Sequence, residues 1–284
     1  MKRVLIVVAS LAFVCSSLAC TNSAEQKYRK AVNNPDRAPE LFSESCEEGY
    51  AESCYMMGVM TFEGEGVERD TDRSVEWFER ACDDDHAESC GVLGAFYLRG
   101  DYVEADETRA LEYFERSCDN GFTHSCVTAG LMNFEGAGIP QDYAKATEWF
   151  ERACDEDDAT GCGLAGVMYS DARGVDRDLE RALEFYSRGC DLGRSEACHA
   201  AGMIYAQGVD DIEQDEQQAR QWFQRGCDEG LDESCQMLDV GGGPPEGGGP
   251  EGDEDDQDED DDDPETDEER DSPDIETPER PDLK

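Results

Sequence analysis

The sequence predicts an all-α solenoid built from helix–turn–helix repeats of about 36 residues, and three periodicities predict it. Twelve cysteines fall into six pairs, each pair eight residues apart: Cys46 and Cys54, Cys82 and Cys90, Cys118 and Cys126, Cys154 and Cys162, Cys190 and Cys198, Cys227 and Cys235. Successive pairs begin 36, 36, 36, 36 and 37 residues apart. Gly58, Gly94, Gly130, Gly166 and Gly202 keep the same step, as do Gly64, Gly100, Gly136 and Gly208, with Ala172 in the fourth place. Aromatic pairs follow in register, from Trp77-Phe78 to Trp222-Phe223.

The elements follow in chain order. Lys2 and Arg3, then the apolar run Val4 to Val14, then Ser17-Leu18-Ala19-Cys20 have the layout of an export signal, so residues 1–19 are expected to be removed. The apolar run is too short to span a bilayer, which needs ~20 residues. The segment also resembles a bacterial lipoprotein signal, in which Cys20 is lipidated; ordinary cleavage after Ala19 is the alternative. Cysteine parity favours lipidation. Of 14 cysteines, Cys15 lies in the signal and Cys20 is the lipid site, which leaves an even twelve. Thr21 in place of Asp then implies the outer membrane, by the same resemblance.

Residues 20–35 form the lipidated start and a leading helix, and residues 36–240 the solenoid. Each full unit reads as a first helix, a Gly-rich turn and a second helix. In Ala51–Phe62 the central Gly58 costs up to ~1 kcal/mol against Ala. Five glycines at one register therefore imply close helix packing there. Glu63-Gly64-Glu65-Gly66-Val67 is the turn, and Thr71 or Asp72 is expected to cap the second helix. Val75, Phe78 and Ala81 give that helix its apolar face. One unit cannot bury both faces, so neighbours must stack. Asp36 to Cys46 echoes a second helix, and Leu231 to Leu238 supplies a closing first helix, for about thirteen helices and no strand.

Each cysteine pair joins the end of a second helix to the first turn of the next helix. That hairpin brings Cα atoms within the ~4.4–6.8 Å a disulfide requires. Export favours disulfides as well, whereas structural zinc needs four converging ligands and here the pairs are isolated from one another.

The combined pattern resembles the Sel-one-like repeat family of tetratricopeptide-like solenoids, in the version found in the helicobacter cysteine-rich proteins. It consists of Cys-x7-Cys, Gly-x-Tyr, Gly-x-Gly-Val, Arg-Ala-x-x-x-Phe and Ala-Cys-Asp, with Gly138, Asp142, Ala146, Phe150, Ala153, Cys154, Asp155 and Cys162 in the matching places. The resemblance covers about residues 36–238. It implies a right-handed α/α superhelix that binds protein or peptide. The family also carries β-lactamase and penicillin-binding labels, so a weak activity of that kind is the alternative function.

The residues themselves do not supply that chemistry. Ser-x-x-Lys is absent, because Ala24, Lys27, Asp142 and Pro281 stand three positions before the last four lysines. His86, His124 and His199 are isolated, and no cofactor or metal is expected. A protein-binding scaffold is the favoured reading. By register, its concave groove is expected at Tyr55, Arg99, Val127, Glu135, Asp171, His199 and Gln207. A net charge of -47 excludes nucleic acid, favours a basic or neutral partner, and leaves the membrane accessible only through the lipid. Residues 241–284 carry 21 acids and 3 bases after a Gly/Pro linker, and are expected to be a disordered tail.

Overall fold

The computed structural model describes residues 23–240. The export signal, Cys20 and the acidic tail lie outside the described residues. Among those described, thirteen α-helices and no strand are present. Residues 23–32 form α1, and a short 3-10 turn, Pro35–Arg37, leads into α2 (Ala38–Glu47). Five pairs follow: α3 (Ala51–Glu63) with α4 (Thr71–Asp83), α5 (Ala87–Arg99) with α6 (Glu107–Asp119), α7 (Thr123–Glu135) with α8 (Tyr143–Asp155), α9 (Ala159–Ser170) with α10 (Leu179–Asp191), and α11 (Ser195–Gln207) with α12 (Glu216–Asp228). The closing helix is α13 (Asp232–Val240). Each helix packs on its neighbours in the chain, and α7, α9 and α11 also touch in succession. This is the repeat solenoid that the periodicity predicts.

Local chemistry sets the helix ends. The second helices are capped by Asp70, Asp106, Asp142, Asp178 and Asp215, each accepting a backbone N–H from the first turn. The cap thus precedes Thr71 and Asp72, which already have helical backbone and so cannot take the extended cap conformation. Four first helices end on a left-handed glycine: Gly64, Gly100, Gly136 and Gly208. In the fourth unit Ala172 adopts φ 56° where the others place glycine.

The central glycines are slots for aromatic rings. A Cβ on Gly58 would lie 2.6 Å from Phe78, and one on Gly130 would lie 2.5 Å from Phe150. Phe114, Tyr186 and Phe223 fill the same slot at Gly94, Gly166 and Gly202. The second helix of each unit therefore sinks its ring against the backbone of the first. The core runs the length of the stack as successive clusters, one handing on to the next.

All six cysteine pairs form disulfides, with Cα–Cα distances between 4.4 and 4.9 Å. A second set of ties links one unit to the next. Arg116 donates to the Cys82 carbonyl at 2.9 Å and to Asp83 at 3.2 Å, and Arg188 donates to the Cys154 carbonyl at 2.6 Å and to Asp155 at 3.2 Å. Arg152 binds the Cys118 carbonyl and Asp119, Arg80 the Cys46 carbonyl, and Arg225 Asp191. Four of these guanidiniums also lie over the aromatic ring three residues earlier: Trp77, Tyr113, Trp149 and Trp222. The Arg-x-Cys-Asp pattern is therefore a latch. The orphan carbonyls and the aspartate at the end of one second helix are held by an arginine 33 or 34 residues on.

Candidate interaction surface

The five first helices α3, α5, α7, α9 and α11 share one incompletely covered face. On α3 it runs through Glu52, Met56, Val59 and Glu63, a spacing of four, three and four that keeps all four residues on one side. The same register on α7 holds His124, Thr128, Leu131 and Glu135. Two rows thus run across the stack, apolar at every position but Thr128. One is Met56, Val92, Thr128, Leu164 and Ala200, and the other is Val59, Ala95, Leu131, Val167 and Met203. All are half-buried except Leu131, which is 36% exposed and sits on the middle helix of the five. Among the described residues only Leu192 is as exposed for a large apolar side chain.

Both margins of this face are predominantly acidic. One carries Glu52, Glu88 and Glu196, with His124 and Thr160 between them. The other carries Glu63, Arg99, Glu135, Asp171 and Gln207, all exposed. Arg99 is partly neutralised by Asp101 at 3.6 Å.

The seven residues expected to line one groove divide into two groups. Arg99, Glu135, Asp171 and Gln207 lie at the ends of the first helices and form the second margin. Tyr55, Val127 and His199 turn into the stack instead, which corrects their placement. Val127 is 4% exposed and packs with Cys118, Cys126 and Ala153. Tyr55 stacks on His86 at 4.8 Å, and burial pushes its hydroxyl above the ordinary value. His199 meets the Ser234 hydroxyl at 3.0 Å and the ring of Phe223 at 5.3 Å. Their register follows the second cysteine of each pair and faces the next unit, so they are packing residues. The sequence reading missed the two apolar rows because half-buried Val, Leu and Met are indistinguishable from core by type alone.

His86 joins the stack to the margin. Its Nε2 lies 2.9 Å from Glu52, and its Nδ1 accepts from the Ser89 backbone as the cap of α5. The hydrogen bond from His86 holds the Glu52 carboxyl below the usual carboxylate range, and Tyr28 adds a second. Elsewhere, burial and a hydrogen bond to Glu151 push the Tyr169 hydroxyl up to about 12. Among the described residues, no group of three His, Cys, Asp or Glu is placed to hold a metal, and no helix is long and apolar enough to cross a membrane.

A family model described as Sel1 repeat matches residues 51–86, 87–122, 125–158, 162–193 and 195–231. Among solved structures, a Sel1 repeat protein from Oxalobacter formigenes is 22% identical, with a TM-score of 0.51 over 68% of this chain and 77% of that one. A protective antigen of uropathogenic Escherichia coli with an SLR fold is 20% identical, with a TM-score of 0.51 over 76% of this chain but only 56% of its own length. Helicobacter pylori cysteine-rich protein B is 21% identical, with a TM-score of 0.37 over 46% of this chain and 93% of that one. No curated protein matches. At these identities the likeness is one of fold.

Proposed function

From the premise that the chain belongs to the Sel1 repeat family, whose members generally mediate protein–protein interaction, we propose a non-enzymatic scaffold that docks a protein partner on the shared face of its first helices. The observation that carries this reading is the pair of apolar rows with Leu131 exposed at their centre. An isolated exposed leucine needs no explanation, but one continuous with apolar neighbours on four further helices marks an interaction surface. The acidic margins select a basic or neutral partner.

The site of action is the bacterial cell envelope. Six disulfides are suited to an oxidising compartment, and the signal pattern ahead of Cys20 supports export with a lipid anchor, ending at the outer membrane. The membrane is then met only through the lipid.

A photo-cross-linking residue placed at Leu131 in the exported chain tests docking, with the same group at the exposed Glu148 on the second helix α8 as control. Specific adducts at 131 and none at 148 are expected; equal labelling from both positions refutes the surface. Fractionation of Cys20→Ser tests the anchor, with loss from the membrane pellet expected.

A further inference from the structure

We propose that the first unit holds a small-molecule site in the cavity between α2, α3 and α4, and that it takes an arylalkanoate, an aromatic ring joined by a short spacer to a carboxylate. The cavity draws on Met57 and Thr61 of α3 and so lies apart from the rows of the shared face. The proposal is independent of protein docking.

The fourth unit shows what a filled seam contains. The Tyr169 ring stacks on Phe185 at 5.7 Å between centroids, and the Arg181 guanidinium lies over it at 4.5 Å. The Tyr169 hydroxyl donates to Glu151 at 2.7 Å, and Arg181 donates to the same carboxylate at 2.8 Å. The second unit repeats the stack at Tyr97, which lies 5.5 Å from Tyr113 with Arg109 over it at 4.6 Å.

The first unit keeps this frame without its filling. Trp77 stands for Phe185 and Arg73 for Arg181, but Thr61 stands for Tyr169 and Ser43 for Glu151, each pair 108 residues apart. A cavity of about 410 Å³ opens there, walled by Pro39, Met57 and Val67, with Trp77, Ser43, Arg69 and Arg73 also lining it. Small-molecule sites occupy ~300–1,000 Å³. Trp77 is 8% exposed, and its Nε1 is the one buried side-chain polar atom without a hydrogen-bond partner among the described residues. Such orphans are rare in a finished core and mark this seam as incomplete. The third unit also lacks the tyrosine, with Asn133 in its place, but retains a carboxylate at Glu115, which Lys145 attracts. Of the five units, the first alone lacks both ring and carboxylate.

Charge selects the sign of the ligand. Glu68 and Asp70 line the cavity, but Asp176 and Asp178 line the matching hollow of the fourth unit as well, so the first unit is short by the one charge that Glu151 supplies. The Asp70 carboxylate is already engaged by the backbone N–H of Arg73, at 3.0 Å. Arg177 and Arg181 pair with Asp210 and Glu151, whereas no carboxylate of the described residues forms an ion pair with Arg69 or Arg73. In a chain of 71 acidic and 24 basic residues, two such arginines on one cavity suit an anion. Joined in one molecule, the groups that the first unit lacks are a ring and a carboxylate. The ring stacks on Trp77 beneath Arg73, and the carboxylate meets Arg69, Arg73 and the Ser43 hydroxyl. The spacer takes the place of the Tyr169 hydroxyl.

The test uses the full chain with its disulfides intact and three probes, read by titration calorimetry: 3-phenylpropanoate, 3-cyclohexylpropanoate and 3-phenylpropan-1-amine. The first should bind saturably at one site, at least fivefold more tightly than the cyclohexyl acid and at least tenfold more tightly than the amine. Thr61→Tyr supplies the ring from the chain itself and should abolish binding while the melting temperature holds or rises. Ser43→Glu supplies the carboxylate and should weaken binding at least tenfold. Arg73→Gln should weaken it several-fold, while Arg109→Gln, its counterpart in the filled second unit, leaves it unchanged. Undiminished binding by Ser43→Glu, or by Thr61→Tyr with an intact melt, overturns the location. Equal binding of the cyclohexyl acid overturns the ring, and equal binding of the amine overturns the charge. Absence of saturable 3-phenylpropanoate binding overturns the proposal as a whole, and leaves the docking reading to cross-linking at position 131.

Discussion

Replacing Gly130 by Ala tests the slot that sets helix spacing. The added Cβ would lie 2.5 Å from Cε1 and 2.7 Å from Cδ1 of Phe150, both closer than real Cβ contacts allow. Phe150 is 1% exposed and cannot swing clear. Overpacking of this kind costs ~1–3 kcal/mol. Against it stands the ~1 kcal/mol that Ala gains over Gly inside a helix. The expected net is a loss of up to about 2 kcal/mol, a fall of at most roughly 8 °C in melting temperature for a chain of this size. Because a solenoid opens locally, hydrogen exchange should rise in α7 and α8 before α3 and α4. The double variant with Phe150→Leu isolates the cause, and the two changes should couple by at least ~1 kcal/mol in a urea-unfolding cycle. Stabilisation by Gly130→Ala, with no coupling to Phe150→Leu, would refute the idea that the ring dictates the glycine.

Three further outcomes follow from positions already described. Ala172→Gly should raise stability by about 1 kcal/mol in thermal melts, because its φ of 56° is strained for a residue with a Cβ. Changing Cys118 and Cys126 together to Ala should lower stability by about 2.5 kcal/mol in urea titration, the chain-entropy value for closing a nine-residue loop. Glu52 is held below its ordinary 4.5, so its contribution is present above that pH and is lost as pH falls through the folded value. Acid unfolding of Glu52→Gln should accordingly show a shallower loss of stability below pH ~4.5 than the parent chain.

The architecture was legible because every unit repeats the same constraints. Periodic Gly, Cys and aromatic positions each answer one packing demand, and their common step revealed the stack. The arginine two residues before the cysteine recurs in the sequence, but its partner is mainly a backbone carbonyl of the preceding unit, which no residue type records. Asp70, Thr71 and Asp72 are all good capping types, and only backbone geometry separates them. Register alone placed Tyr55, Val127 and His199 on a groove. Which side of a helix meets the next unit depends on how the units rotate against each other, and periodicity does not carry that angle.

The arginine latch gives the molecule a polarity. Every arginine reaches back to the unit made before it, so each unit is completed only when its successor has folded against it. A chain emerging from its N-terminus therefore closes in order, with one unsealed unit at its growing end. The last unit is never sealed in this way among the described residues. Its Cys227 and Cys235 are only partly buried, whereas the other ten bridged cysteines are at most 3% exposed. Reductants should thus reach that bridge first, and the solenoid should wear from its C-terminal end inward, in the reverse of the order in which it was built.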